Sequence, residues 1–357
     1  MSLDWIHGRY PVNMLADDRC FQGILPGLLL KQAPLGFIDV GARGGVHDLL
    51  APIAAVTAVL GFEPDERACQ DINKAYENSP LPWAALKILP AALAQESGNA
   101  TLYLCAAPTN HSLLPVSKVF TQRYRMEKFL QTGQLSLETQ TLDSALFGQL
   151  AKESCWGEFI KLDTQGSEFE ILKGADRTLR ERTVALFVEV EFCQIYEGQK
   201  LFSDVEVLLR EYGFSFYGFH STHERSRKLL DKKRFLGRER LLHADAVFFK
   251  DPLPCSSRYL PLSDRQIAVL FTCAVILGYF DFALELANET FASSGEEQEN
   301  VTRLIHSLSL HAPNASADSI RLLSEQVQAQ PESANIYLGR FIDKHRAMCN
   351  FEDATDK

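Results

Sequence analysis

Acidic side chains and glycines are grouped in one short stretch that follows an apolar run. The segment FIDVGARGG begins at Phe37, places Asp39 inside the run, and follows it with Gly41, Gly44 and Gly45. Glycine costs backbone entropy, so such a cluster marks a tight turn or the close approach of a ligand to the main chain. The spacing is G-x-x-G-G, which differs from the G-x-G-x-x-G that cradles a pyrophosphate. An NAD-dependent oxidoreductase is therefore disfavoured.

A second acid, Glu63, closes the next apolar run of the sequence, VLGFEP. At that distance from a first strand, folds with parallel sheets bind a ribose, and a carboxylate there accepts hydrogen bonds from both hydroxyl groups of the ribose. A ribose site without a pyrophosphate loop fits S-adenosylmethionine, with its methionine end near Asp39 and its adenosine toward Glu63. The alternative, in which the glycines only turn the chain and Glu63 caps a helix, stays open. The predicted cofactor contacts are Asp39, Gly41, Ala42, Arg43, Gly44, Gly45, Glu63 and Pro64.

Four further acids and one histidine could assist methyl transfer to a hydroxyl group. Such a transfer needs an acceptor oxygen held in line with the methyl group, and it gains from a general base such as His, Asp or Glu. Asp163 ends a predicted strand and Glu168 begins the next helix, where either could equally act as a helix cap. Glu189 and Glu191 alternate in a strand and so share one face, with an ion pair as the rival interpretation. His111 lies in a loop, where a structural role is the alternative.

Strands and helices alternate through the part of the chain that carries these residues. Apolar runs such as GFIDV and EFIKLD are separated by amphipathic segments, which predicts an α/β fold with a mostly parallel sheet covered on both faces. The last two predicted strands, FSFYGF and ADAVFFK, would form an antiparallel hairpin at one edge, and the polar stretch before TLDSAL is interpreted as a linker. Beyond about residue 255 only helical periodicity is found. The predicted division is a helical lead-in at 1–35, a methyltransferase domain at 36–254 and an all-helical domain at 255–357.

Composition and charge exclude several classes of protein. The 357 residues carry a net charge of -10, which argues against a general nucleic-acid binder. The eight cysteines form no Cys-x-x-Cys motif and no Cys/His cluster, so neither a metal site nor a disulfide framework is predicted. The amino terminus lacks the features of a signal peptide, and the most apolar run, from Ile267, is too short to span a membrane. We therefore expect a cytoplasmic protein, and we expect any homo-oligomer to form through the C-terminal helices.

Five stretches of the chain match the motifs of a known family in the same order, over about residues 36–250. They are FIDVGARGG, VLGFEPD, TLDSAL, FIKLDTQGSEFEILKGA and VALFVEVEFCQIYEGQKLF. On these stretches the chain resembles the FkbM family of S-adenosylmethionine-dependent methyltransferases. The resemblance implies a class I (Rossmann-like) methyltransferase fold of seven strands, the last antiparallel to the others, with the C-terminal helices as an appendage. It also implies O-methylation, often of sugar hydroxyl groups, with a small-molecule or glycan acceptor.

Two positions depart from the pattern of that family. Arg43 stands where the family commonly has Asn, and Gln165 stands where it commonly has Glu. Because an amide cannot take up a proton, Gln165 is excluded as a base. These departures leave a second function open, that of a methyltransferase-fold protein with weak or no activity that binds or scaffolds in glycan assembly.

Overall fold

The computed structural model describes residues 11–78, 83–153, 156–231, 234–235, 237–254, 261–309 and 313–346. The first ten residues of the predicted lead-in and the last eleven of the predicted helical domain lie outside these ranges. The predicted domain boundary at residue 255 also falls outside them.

Ten strands occur in the described ranges, and seven of them build the main sheet. The strands are β1 Leu35–Val40, β2 Thr57–Phe62, β3 Ala85–Leu89, β4 Ala92–Leu93, β5 Gly98–Cys105, β6 Gln131–Gln140, β7 Phe159–Leu162, β8 Ala185–Glu191, β9 Ser215–Arg225 and β10 Arg240–Phe249. The main sheet has the order β3-β2-β1-β7-β8-β10-β9. β10 pairs antiparallel with both β8 and β9. The other neighbours in the main sheet, β3-β2, β2-β1, β1-β7 and β7-β8, are parallel. The class I methyltransferase fold, with its antiparallel hairpin at one edge, is thereby confirmed.

The central strands are short, apolar runs because both faces of the sheet are covered. Every residue of β1 and of β2 is buried, as is typical of parallel strands with helices on both sides. β1 lies between β2 and β7, and this register sets Asp39 beside Lys161. The carboxyl ends of β1, β2 and β7 therefore meet at one edge, where ligands bind in open parallel sheets.

A second, three-stranded sheet has the order β4-β6-β5. Its strand β6 occupies part of the stretch that was interpreted as a polar linker, so that interpretation is wrong for residues 131–140. The error has a physical cause, since most side chains of β6 are exposed and polar and show no buried apolar face. Pairing with β5 over eight positions, rather than burial, holds this strand in place.

Helices cover both faces of the main sheet and continue to the end of the described chain. The helices are α1 Arg19–Gln22, α2 Leu25–Gln32, α3 Glu66–Asn78, α4 Lys118–Tyr124, α5 Leu142–Ser144, α6 Glu168–Lys173, α7 Asp176–Glu181, α8 Phe202–Glu211, α9 Asp264–Ile276, α10 Phe280–Thr290, α11 Gly295–Ser309, α12 Pro313–Ala329 and α13 Ala334–Arg346. The helical segment after β1, Asp48–Val56, is a 3-10 segment that is interrupted by non-helical backbone at Ile53, directly after Pro52. Proline lacks the backbone N–H that a helical hydrogen bond needs, and helices are commonly kinked or broken beside it.

The C-terminal helices share one hydrophobic core with the sheet. Ten residues of α9, Ile267–Ile276, are buried, and Ser263 caps the helix by accepting from the backbone N–H of Gln266. The same core contains the inward side chains of four strands, Phe37, Phe159, Phe187 and Phe249. The helices α9, α10 and α11 thus form the cover of one sheet face. The division at residue 255, and oligomer formation through these helices, stay predictions.

Candidate active site

The glycine loop after β1 is held against two neighbouring strands. Gly41 has φ +86°, and a Cβ atom placed there would lie 2.0 Å from the carbonyl oxygen of Asp163, so only glycine fits. The backbone N–H groups of Gly41 and Ala42 donate to the carbonyl of Phe62 at 3.1 and 3.2 Å. The loop therefore closes tightly over the ends of β2 and β7.

Open space surrounds the other two glycines of the loop. Gly44 and Gly45 have φ +91° and +118°, and no atom lies within 4 Å of the position that a Cβ atom would take. Both conformations belong to the left-handed region that favours glycine. The main chain of the loop is thus bare, and a ligand can approach it closely.

Asp39 lies beneath the glycine loop and orders it. Its Oδ2 accepts a hydrogen bond from the backbone N–H of His47 at 2.8 Å, and its Oδ1 lies 3.3 Å from Nζ of Lys161. Nζ of Lys161 is also 3.6 Å from Oδ2 of Asp163. Burial alone would lower the pKa of Lys161, but the carboxylates of Asp39 and Asp163 raise it above its ordinary value. Lys161 is therefore a buried cation that joins the ends of β1 and β7.

Glu63 ends β2 and faces a cleft next to the loop. Its Oε1 accepts from the backbone N–H of Asp65 at 3.0 Å, and Asp65 caps α3 by accepting from the N–H groups of Arg67 and Ala68. Burial raises the pKa of Glu63 above its ordinary value. Nη1 of Arg43 lies 3.9 Å from Oε1 of Glu63, and Nη2 lies 3.1 Å from Oδ2 of Asp65. In this arrangement Arg43 neutralises the acids at the mouth of the cleft.

The cleft itself encloses about 250 Å³ at the carboxyl edge of the sheet. One wall is apolar, and Glu63, Pro64, Gly41 and Arg43 line the side next to the glycine loop. The apolar wall consists of Val40, Phe62, Ala91, Ala92, Leu93, Leu102 and Ile171. The desolvated carboxyl group of Glu63 and the apolar wall suit the ribose and the adenine ring of S-adenosylmethionine. The bare main chain of Gly44 and Gly45, which suits the methionine end, lines an adjoining cavity that shares Arg43 with this cleft, so the residues present fit this cofactor.

His111 lies in the loop that borders the cleft. Its Nδ1 accepts a hydrogen bond from the backbone N–H of Cys105 at 3.1 Å. Burial lowers the pKa of His111, and the nearby Arg43 guanidinium adds to this effect. A neutral imidazole with an accepting Nδ1 carries its proton on Nε2. His111 is thus arranged to donate a hydrogen bond, and its predicted role as a base stays a prediction.

A row of polar side chains crosses the edge of the sheet from β7 to β8. Asp163 lines the cleft, and Nε2 of Gln165 donates to Oδ1 of Asp163 at 3.0 Å and to Oε2 of Glu189 at 3.1 Å. Oε1 of Gln165 accepts from the hydroxyl of Tyr196 at 3.1 Å. Gln165 holds φ +60°, an unusual conformation for a residue with a side chain. The amide therefore bridges two carboxylates that would otherwise repel each other.

Glu168 and Glu191 are buried behind this row. Both oxygens of Glu168 accept from the loop before α6, with Thr164 N at 2.7 Å and Gly166 N at 3.0 Å as the shortest contacts. Burial raises the pKa of Glu168. Burial, followed by the charges of Glu168 and Glu189, raises the pKa of Glu191 well above its ordinary value. Glu168 thus clamps the loop that carries Gln165, and the catalytic roles predicted for both acids stay predictions.

The structure brings most of the predicted site residues to one edge, and it adds residues that the sequence reasoning missed. Lys161 lies in β7, two residues before Asp163, which follows the strand. The period-two argument used for Glu189 and Glu191 could therefore have placed Lys161 on the same face as Asp163. His243 could not have been found in this way. It reaches the site only because β10 runs antiparallel beside β8, where His243 pairs with Glu191.

A comparison with protein families decides the nature of this domain. The family described as Methyltransferase FkbM domain matches residues 39–216. The chain carries an FkbM methyltransferase domain. It is a methyltransferase that depends on S-adenosylmethionine, and the matched range contains the glycine loop, Glu63 and the polar row from Asp163 to Glu191. The resemblance seen in the sequence is thereby confirmed.

Solved structures similar to this chain are distant in sequence. Methyltransferase FkbM from Methylobacillus flagellatus KT is 14% identical over 60% of this chain, with a TM-score of 0.31, and the match spans 43% of that protein's own chain. Magnesium protoporphyrin IX methyltransferase (ChlM) from Synechocystis PCC 6803, solved with bound SAM, is 12% identical over 69% of this chain and 88% of its own, with a TM-score of 0.30. Sp1610 from Streptococcus pneumoniae, a putative tRNA (m1A22) methyltransferase, is 11% identical over 78% of this chain and 97% of its own, with a TM-score of 0.30. No curated protein matches the chain significantly in sequence.

Within the described ranges, none of the helices combines the length and the apolar character that crossing a membrane requires. In the same part of the chain, no three His, Cys, Asp or Glu side chains are grouped so that they could hold a metal ion.

Proposed function

We propose that this FkbM methyltransferase transfers the methyl group of S-adenosylmethionine to a hydroxyl group of a sugar or glycan precursor. The observation that carries the proposal is the row formed by Asp163, Gln165 and Glu189 at the edge of the cleft. Both N–H groups of the amide are donated to the two acids, whereas the carboxylate oxygens have further lone pairs that can accept hydrogen bonds from the several hydroxyl groups of a sugar. A phosphate placed against this row would meet two acids, so a neutral polyol is favoured over an anionic acceptor group.

The cofactor would be held by residues on the other side of the cleft. When bound, S-adenosylmethionine supplies an electrophilic methyl group on a positively charged sulfur. Glu63 accepts hydrogen bonds from the ribose, and the bare main chain at Gly44 and Gly45 lets the methionine end approach. Asp163 lies between the two sites and orients the acceptor hydroxyl. Holding both reactants in one geometry supplies much of the rate of such a transfer.

Cofactor binding is tested by calorimetry with S-adenosylhomocysteine, the product form of the cofactor. We expect the unmodified protein to bind it, and Glu63→Ala to bind it at least about tenfold more weakly, because a hydrogen bond to a charged group contributes ~1.5–3 kcal/mol. The matched control is Glu77→Ala, which removes an exposed acid of α3 and should leave the affinity unchanged. Equal affinity of the Glu63→Ala variant and the unmodified protein would contradict the proposed ribose site.

The acceptor class is tested by transfer of a radiolabelled methyl group. The acceptors would be methyl glycosides of common hexoses and deoxyhexoses, compared with a primary amine and with adenosine at equal concentrations. We expect methyl ethers of the glycosides as products. Preferred methylation of a nitrogen would overturn the proposed O-methylation while leaving the cofactor site intact.

A further inference from the structure

A histidine of the edge hairpin stands beside the polar row, and the sequence reasoning gave it no role. Nδ1 of His243 in β10 lies 3.0 Å from Oε1 of Glu189 in β8. We propose that His243, held by Glu189, is the general base that takes the proton from the acceptor hydroxyl. This inference rests on the proposed function, and it assigns the base that the sequence left open.

A continuous line of contacts leads from the cleft to His243. Asp163 lines the cleft, and the amide of Gln165 connects it to Oε2 of Glu189, whose other oxygen contacts His243. The side chain of His243 is 27% exposed and that of Glu189 is 13% exposed. The imidazole is therefore the more accessible member of the pair, while the carboxyl group lies beneath it. His243 is not among the residues that line the cleft, so the acceptor would extend from Asp163 along the row to reach the ring.

The contact with Glu189 also sets the tautomer of His243. An imidazole whose Nδ1–H donates to a carboxylate has its lone pair on Nε2, and that nitrogen can accept a proton. This is the opposite of His111, whose Nδ1 accepts from the backbone. The ring of His223 in β9 stacks on that of His243, with the centroids 4.2 Å apart and the planes within 7°. The stack limits rotation of His243, so that Nε2 keeps one direction.

The charges around the pair shift the pH at which it can act as a base. Burial, and then the charge of Asp163, raises the pKa of Glu189 well above its ordinary value, while burial lowers the pKa of His243. Since the two groups are in contact, they titrate as a unit. The pair thus gives up its proton at a higher pH than an isolated glutamate does. Above that pH the ionised Glu189 accepts from Nδ1–H, and Nε2 is free to take up a proton. The charged and titratable groups that face the pair are Lys161, Asp163, Glu168, Glu191, His223 and Asp245.

The proposed step is balanced in atoms and electrons. The acceptor oxygen forms its bond to the methyl carbon while the bond between sulfur and that carbon breaks, and the sulfur keeps the electron pair. The hydroxyl proton moves to Nε2 of His243. The carboxylate of Glu189 stabilises the imidazolium that forms, and the proton then leaves to solvent from the exposed side of the ring.

The first test compares variants in turnover and cofactor binding. We expect His243→Gln to lower kcat about 100-fold or more, in the range that general-base catalysis contributes, with unchanged affinity for S-adenosylhomocysteine. Glu189→Gln keeps an oxygen for Nδ1–H but loses the charge, so kcat should fall less, and the alkaline rise of the rate should move to lower pH. The control is His306→Gln, an exposed position of α11, which should match the unmodified protein. A His243→Gln variant with full turnover and an unchanged pH profile would overturn the proposal.

The second test needs no acceptor and separates this inference from the proposed function. Nitrogen-15 NMR of the imidazoles, assigned by loss of one signal in His243→Gln, reports which ring nitrogen carries the proton. We expect the Nδ1–H form of His243 at neutral pH, and a change of that signal in Glu189→Gln. An Nε2–H form, or a doubly protonated ring from about pH 6 to about pH 9, overturns the assignment of the base. Failure to methylate any glycoside, with the Nδ1–H form present, would instead count against the proposed acceptor class.

Discussion

Arg265 and Glu158 form a two-pronged ion pair that joins the C-terminal helices to the start of β7. Nε of Arg265 lies 2.6 Å from Oε1 of Glu158, and Nη2 lies 2.7 Å from Oε2. The same guanidinium donates to the carbonyl of Pro34 at 2.9 Å, and Oε2 of Glu158 accepts from the N–H of Gly36. Three segments that are distant in sequence therefore meet at one largely buried charge pair, since the side chains are 26% and 14% exposed.

Removing one partner of this pair should destabilise the fold strongly. Arg265→Ala leaves the carboxylate of Glu158 without its cation, and we expect the free energy of unfolding to fall by about 3 kcal/mol. Urea denaturation measures this change. The control is Arg303→Ala, which breaks an exposed pair with Glu299 at 3.9 Å and should cost less than about 1 kcal/mol. Similar losses in the two variants would show that the Arg265 pair is not structural.

A chain that ends at residue 254 should not fold into a cooperative unit. The cut removes α9, whose ten buried residues cover the inward side chains of β1, β7, β8 and β10. Exposing that apolar face in water is strongly unfavourable. Near-ultraviolet circular dichroism and thermal unfolding of the shortened chain would test this. A sharp unfolding transition would instead support an independent domain at 36–254.

The stability of the protein should depend on pH through Glu191. The pKa of this buried carboxyl is raised well above its ordinary value in the folded state. The folded state thus holds the proton more tightly than the unfolded chain, and the associated stability is lost as the pH rises through the folded-state pKa. Glu191→Gln should therefore stabilise the fold by about 1–2 kcal/mol near pH 8 and change little near pH 4.

Urea denaturation at both pH values checks this expectation. The control is Glu197→Gln, an exposed position shortly after β8, which should show no difference between the two conditions. A Glu191→Gln variant that is less stable than the unmodified protein near pH 8 would contradict the direction of the pKa shift of Glu191.

Arg43 should compete with the cofactor for Glu63. Its guanidinium lies 3.9 Å from Glu63 and 3.1 Å from Asp65 at the mouth of the cleft. The side chain of Asn is too short to reach either acid, so Arg43→Asn should tighten binding of S-adenosylhomocysteine about threefold, the scale of one exposed ion pair. Calorimetry measures the affinity, with the exposed Arg67→Asn of α3 as the control. Weaker binding would show that Arg43 contacts the cofactor directly.

Much of the fold follows from local patterns that the sequence displays. The apolar runs that became β1, β2, β7, β8 and β10 are continuous because both faces of the sheet are covered, and that pattern is visible in the letters alone. The strand β6 was missed because its side chains are polar and exposed, and its position depends on pairing with β5. Pairing partners far along the chain leave no periodic signal.

The candidate site shows the same division. The glycine loop and Glu63 were predicted as cofactor contacts because their types and spacing are typical of a ribose site. The role of Gln165 could not be found, since its amide acts only where two carboxylates, from β7 and β8, come within about 3 Å of it. His243 is hidden for the same reason.

The sequence by itself determined the class of fold and the cofactor, and it predicted the edge of the sheet at which the cofactor would bind. These inferences depend on hydrophobic periodicity and on residues close together in the chain. Only the tertiary structure decided which side chains are in contact at that edge, and that α9, α10 and α11 cover the sheet. Hydrogen bonds and ion pairs act over a few ångströms, so they depend on which distant segments folding brings into contact.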